Sequence, residues 1–353
     1  MADRCRQFRQ SLARADARRG AQPRHDRFRT YAQAVLRRSH REQRCAQTRR
    51  QLGLTSQLAQ PTGTDRASDC PLVLGGHSFI DQLGNDPPAS WREQHRIVES
   101  CLNRGIAWFD TTYQSERIAL GNLLHALGRR AEATILAWNF FTDFSPGEPV
   151  GEPEYFRPGH IDRILEQLRT DYLDCLVMVP LGDPEQNQRQ EELIIKWRER
   201  GYVRSLGLWI SDPAIVERYR SKNPFQFAIR PFNVLTADDA PVLASCRTCG
   251  WETLATSPFF RGWQLDKMVA EASTRGYGDA EALRSVVADL MLRFSLFQRD
   301  VSRVIVAMRR IEWVARNLES VARGPLNDEE RRWLQRLRPV ATRRGWWHRL
   351  RRN

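Results

Sequence analysis

The chain has 353 residues, is 41% hydrophobic and carries a formal net charge of +13. It is longer than one average domain. No window approaches the roughly 18 consecutive apolar residues that span a bilayer, which argues against an integral membrane protein. The charge is almost wholly arginine, since Lys196, Lys222 and Lys267 are the only lysines. It gathers at the two ends instead of marking one groove, so a compositional arginine bias explains it at least as well as nucleic-acid binding. Seven scattered cysteines, and charged residues close behind Met1, suit a reducing cytoplasm better than a disulfide framework or a secretory leader.

Residues 1–52 read as an arginine-rich helical extension, broken near Gly20 to Pro23, with a thin apolar stripe of Phe28, Tyr31, Ala34, Val35 and Leu36. Residues 53–70 have linker composition. From 71 to 338 short apolar runs alternate with amphipathic stretches, the pattern of parallel strands joined by helices. The predicted strands are Leu72 to Gly75, Ile106 to Asp110, Ala133 to Trp138, Leu173 to Val179, Ser205 to Trp209, Phe225 to Arg230, Glu252 to Thr256 and Arg303 to Ala307. Predicted helices include Glu93 to Arg104, Glu116 to Leu127, Ile161 to Leu168, Glu191 to Arg200 and Pro213 to Arg220. Gly105 and Gly201 stand where helices should stop. No GxGxxG follows the first strand, which disfavours an open dinucleotide-binding sheet and favours an α/β (β/α)8 TIM barrel. Residues 339–353 form a basic tail.

Three runs carry a family resemblance. Gly105-Ile-Ala-Trp-Phe-Asp110-Thr-Thr-Tyr113-Gln-Ser115-Glu116 resembles the aldo-keto reductase signature, in which a strand ends in Phe-Asp-Thr and a Ser-Glu pair begins the next helix. Leu168-Arg-Thr-Asp171-Tyr172-Leu173-Asp174 resembles the family's Leu-Gly-Thr-Asp-Tyr-Ile-Asp, and Arg200-Gly201-Tyr-Val203-Arg204-Ser-Leu-Gly207 its Gly-Lys-Val-Arg-Ala-Ile-Gly. Phe232-Asn233 is similar to its Tyr-Asn pair. The resemblance implies NADP(H) as cofactor, held through Ser257 and Arg261 after strand 7 and through Arg309 and Asn317 after strand 8.

The family reduces carbonyls with a tyrosine donor tuned by a lysine and a histidine and oriented by an aspartate. A phenol of ordinary pKa about 10 donates poorly at neutral pH without such help. By resemblance Asp110 is the aspartate and Tyr113 the nearest tyrosine. The lysine position reads Asn139 and the histidine position Val179. His77, after the first strand, is the candidate substitute, although a hydrogen-bonded structural residue is the alternative. The nicotinamide's expected partners read Trp209-Ile210 and Ile229, so NADP(H) binding is expected to be weakened. Arg309, Arg310 and Arg316 either grip a phosphate or are surface arginines.

Two functions follow: an NADP-linked oxidoreductase with weak or lost carbonyl reductase activity, or a non-catalytic scaffold that binds a small molecule or a protein. The loops Pro146 to Phe156 and Leu265 to Gly278, which would shape the pocket, identify no substrate. No metal is expected, because Cys246-Arg-Thr-Cys249 has no second ligand pair and suits a packed helix end. Asp171 and Asp174, at the entry to strand 4, read as caps. The tail, with Trp346 and Trp347 among arginines, allows contact with nucleic acid or an anionic surface, a solvated end being the simpler reading.

Overall fold

The computed structural model describes residues 70–80, 89–142, 151–220 and 223–338, with only the backbone of Arg261. The basic extension, most of the linker and the tail fall outside the described residues.

Eight parallel strands close into a barrel in sequence order. They are β1 (Leu72–Leu74), β2 (Trp108–Thr111), β3 (Thr134–Trp138), β4 (Leu173–Met178), β5 (Val203–Trp209), β6 (Phe227–Pro231), β7 (Glu252–Thr256) and β8 (Arg303–Val306). Closure is made by β1 against β8, with Val73 opposite Ile305. The helices are α1 (Trp91–Asn103), α2 (Gln114–Leu127), α3 (His160–Leu168), α4 (Pro184–Glu199), α5 (Pro213–Tyr219), α6 (Ala240–Thr248), α7 (Trp263–Thr274), α8 (Ala280–Leu296), α9 (Ile311–Arg323) and α10 (Asp328–Arg336). None among the described residues is long and apolar enough to cross a membrane.

Strands covered on both faces read as nearly continuous apolar runs. The period of two then sorts their side chains into two layers. In β3, Leu136 and Trp138 join the barrel interior with Val73, Cys175, Val177, Ile229, Leu254 and Ile305. Ile135 and Ala137 join the layer beneath the helices. Helix starts follow side-chain chemistry: Ser90 accepts from the amide of Glu93, and Asp183 from those of Glu185 and Gln186, with Pro184 opening α4. Gly105 and Gly201 follow helix ends, both at φ 80°. At Gly121 the need is space, since a Cβ there would lie 2.5 Å from the Gln167 carbonyl oxygen at the α2–α3 crossing.

Two expectations fail. Leu265 to Gly278 is not a substrate loop: most of it is α7, whose Leu265, Met268, Val269 and Ala272 pack into the core beneath α8 and α10. Asp174 is no cap. It sits in β4, ion-paired to Arg130 at 2.9 Å and Arg204 at 3.1 Å, and accepts from the Ile135 amide. Tyr172 lies under both guanidinium groups, at 4.3 and 3.8 Å. The two arginines draw the carboxylate into the barrel wall.

Candidate active site at the carboxyl mouth

The strands' carboxyl ends gather the candidate residues at one mouth, where barrels of this type place function. Two groups form there, one at β1 and β2 and the other at β3 and β4.

At β1 the chain turns through Gly76–Ser78. The Ser78 hydroxyl donates to the Gly75 carbonyl at 2.7 Å and accepts from the Met308 amide at 2.8 Å. Arg309 Nε donates to the His77 carbonyl at 2.9 Å. His77 therefore stands on a braced turn. Its Nδ1 lies 2.7 Å from Oε1 of Glu116, a side chain with 0% exposure. The other carboxylate oxygen, Oε2, accepts from the amides of Thr112 at 2.6 Å and Tyr113 at 3.2 Å. These donors open α2, where the helix dipole favours an anion. The carboxylate oxygens act as acceptors here, which makes Nδ1 the donor. Gly76 leaves room for it, because a Cβ there would fall 2.1 Å from Oε2.

Asp110, at the end of β2, is buried and accepts from the indole Nε1 of Trp138 at 2.6 Å. Burial, with the Glu116 charge adding to it, raises its pKa to about 7 from 3.8, against the opposing hydrogen bonds from Trp138 and the Gly76 amide. Tyr113 is 3% exposed. Its ring stacks on His77 at 5.9 Å and meets Phe140 edge-on at 5.4 Å.

At β3 and β4, Asn139 and Val179 are bonded to each other. Asn139 Nδ2 donates to the Val179 carbonyl at 3.2 Å and to that of Glu154 at 2.8 Å, while Oδ1 accepts from the Val179 amide at 3.0 Å. The asparagine is a backbone staple. Beside it Trp138 and Trp209 meet edge-to-face at 5.5 Å, with Ile229 in the same interior cluster.

The remaining candidates lie along β6 to α9. Ser257 is left-handed, at φ 57°, and its carbonyl accepts from Asn233 Nδ2 at 2.9 Å. A non-glycine residue there carries strain of roughly 1–2 kcal/mol. Asn317 is half-buried within α9. Arg309 is 7% exposed and turned onto the His77 carbonyl, so it does not stand open as a phosphate clamp. The amide of Ile311, the first of α9, donates to Glu93 Oε1 of α1 at 3.1 Å. An internal carboxylate thus occupies a helix terminus that would otherwise attract a phosphate.

On the flank, residues 153–158 and α4 enclose a groove of about 610 Å³ that includes Tyr155, Arg157, Leu181 and Lys196. Of the expected Pro146 to Phe156 loop, Pro153 to Phe156 line that groove.

The sequence reading missed Arg117, which is fully buried and donates to the carbonyls of Thr112 and Phe140 and to Gln167 Oε1. It also missed the partnership of Glu116 with His77. A signal for both existed. Glu116 and Arg117 begin the stripe of Leu120, Leu123 and Leu124 that α2 buries, and a charge on such a stripe calls for a partner.

Fold and mouth together define an α/β barrel with its chemistry at the strands' carboxyl ends. The profile of the Aldo/keto reductase family matches residues 71–338, and the chain belongs to that family. Membership implies NADP-linked oxidoreductase ancestry. Among solved structures, the chain is similar to the holo form of an aldo-keto reductase from Bacillus halodurans, at 19% identity over 78% of this chain and 94% of that one, with a TM-score of 0.60. A protein assigned as 2,5-diketo-D-gluconic acid reductase B is similar at 20% identity, over 78% and 90% of the two chains, with a TM-score of 0.57. At such identities the likeness speaks for the fold. No curated protein sequence matches the chain.

Proposed function

We propose that this chain is an aldo-keto-reductase-like barrel that holds NADP(H) weakly and has lost ordinary carbonyl reduction, while keeping its mouth as a small-molecule site. The observation that carries the reading is the Asn139–Val179 staple. The two positions that would tune a donating tyrosine are spent on backbone hydrogen bonds. In this reading Asp110 orients no lysine, because the indole of Trp138 is the side chain bonded to it.

The same reading covers the cofactor. Ile210 and Ile229 offer no side-chain partner to a nicotinamide amide, and Trp209 offers a donor only. An unpaired buried amide costs about 1–3 kcal/mol, or about one to two decades of affinity. At the far end Glu93 competes for the α9 terminus. In this reading Ser257 and Asn317 are the residues that would touch a dinucleotide, with Arg261 added by family resemblance.

Titrating NADPH and following its fluorescence tests the proposal. Saturation only in the high micromolar range or above is expected. Submicromolar affinity would overturn the weak-cofactor reading.

A further inference from the structure

The family's tuned tyrosine has no counterpart here, yet the opposite side of the mouth holds a different arrangement of acid and base. Glu116 is locked by two backbone amides and receives His77 Nδ1 at 2.7 Å. Since that carboxylate is wholly buried, the bonded edge of the imidazole faces inward. The side chain is 31% exposed, while its Nδ1 is turned to that carboxylate. Among the described residues nothing hydrogen-bonds Nε2. The Nδ1–H tautomer leaves that nitrogen with a lone pair.

The backbone beneath the ring is braced from β8 by Arg309 and Met308. Tyr113 supports one face of the ring. A base oriented by a buried carboxylate, with its second nitrogen not engaged by the described residues, is the geometry that proton transfer and nucleophilic attack require. The amides that hold Glu116 belong to the start of α2, where its side chain closes a capping box, and the carboxylate's other oxygen is thereby left to the imidazole.

We infer that His77 and Glu116 form an acid–base dyad that presents Nε2 at the mouth to activated acyl compounds. The class of ligand follows from the chemistry of an oriented imidazole, which attacks an activated acyl group. The inference shares its mouth with the proposed function but does not use NADP(H), so either can fail without the other.

The full-length protein and p-nitrophenyl acetate provide the test. Nε2 attacks the ester carbonyl and a new N–C bond forms. The C–O bond to the aryl group breaks and nitrophenolate leaves with the electron pair. The Nδ1 proton remains with the pair to Glu116, and water then cleaves the N–C bond, giving acetate and restoring the imidazole. The wild-type rate is expected to exceed that of His77→Gln by about tenfold or more. The glutamine keeps a donor for Glu116 and so preserves the fold. Glu116→Gln should lose most of the rate, whereas His125→Gln on the outer face of α2 should not. Two readouts do not depend on turnover: diethyl pyrocarbonate should acylate the His77 peptide of the folded protein, and nitrogen-15 NMR should show the Nδ1–H tautomer. An unchanged rate in His77→Gln, an unmodified His77 or the Nε2–H tautomer would each overturn the dyad.

Discussion

The two sides of the barrel mouth have the same scaffold and opposite chemistry. At β1 and β2, three ionisable side chains, His77, Asp110 and Glu116, are brought together, and one imidazole nitrogen is not engaged by the described residues. At β3 and β4, Asn139 satisfies three backbone groups and leaves nothing to react. The difference teaches that one barrel mouth can hold ionisable groups on one side and structural hydrogen bonds on the other. Here Asn139 is part of what holds two strands and the following loop together, so replacing it means breaking the staple first.

The largest effect should come from that staple. Asn139→Ala would leave the Val179 amide and two carbonyls in a half-buried place without this partner, a loss of about 1–3 kcal/mol, visible in a urea titration. For the same reason Asn139→Lys with Val179→His should be less stable than the parent by a similar amount, whatever activity it regains. A double variant as stable as the parent would show that the staple does not matter.

On the other side the charge is the liability. Because the folded-state pKa of Asp110 is raised to about 7 from 3.8, the folded chain binds that proton more tightly than the unfolded one. Stability from this group is therefore full below pH about 4 and falls as pH rises to about 7. Asp110→Asn, which can still accept from Trp138, should stabilise the protein at pH 8 by roughly 2 kcal/mol. The gain should shrink toward zero near pH 4. A gain that does not depend on pH would remove the buried-carboxyl account.

Gly76→Ala sharpens the comparison further, since its Cβ would lie 2.1 Å from Glu116 Oε2 and 2.8 Å from the Asp110 carbonyl oxygen. We expect a loss of about 1–3 kcal/mol, together with a changed His77 NMR signal. A stable variant with an unchanged signal would mean that the carboxylate has room to move. Trp138→Phe should have the smallest effect. It removes the indole bond that favours ionised Asp110, costing about 1 kcal/mol, more at pH 8 than at pH 5. Equal losses at both would argue against that bond.

Much of this was legible in the sequence. The alternation of apolar runs and helical stretches gives all eight strands, with shifts of one or two residues at their ends. The Phe109-Asp110-Thr111 run placed β2 and its carboxyl end. What stayed hidden depended on partners far apart in the chain. His77 and Glu116 are 39 residues apart, and Glu93 meets Ile311 across 218. Nothing local in sequence marks such pairs except a charge on an apolar helix face. Arginine was the least readable residue. In a chain so rich in it, buried Arg117 and Arg309 look like their many exposed neighbours. The helix α7 is hard to read because Gly276 and Gly278 follow its end, although half of its residues are apolar.

The central claim is that carbonyl reduction through a tuned tyrosine is lost from this mouth, and turnover of 4-nitrobenzaldehyde with saturating NADPH tests it most directly. The expected rate is at least about 10² below an ordinary enzymatic turnover of roughly 1 s⁻¹. Turnover at or above that ordinary rate by the unmodified protein would contradict the claim.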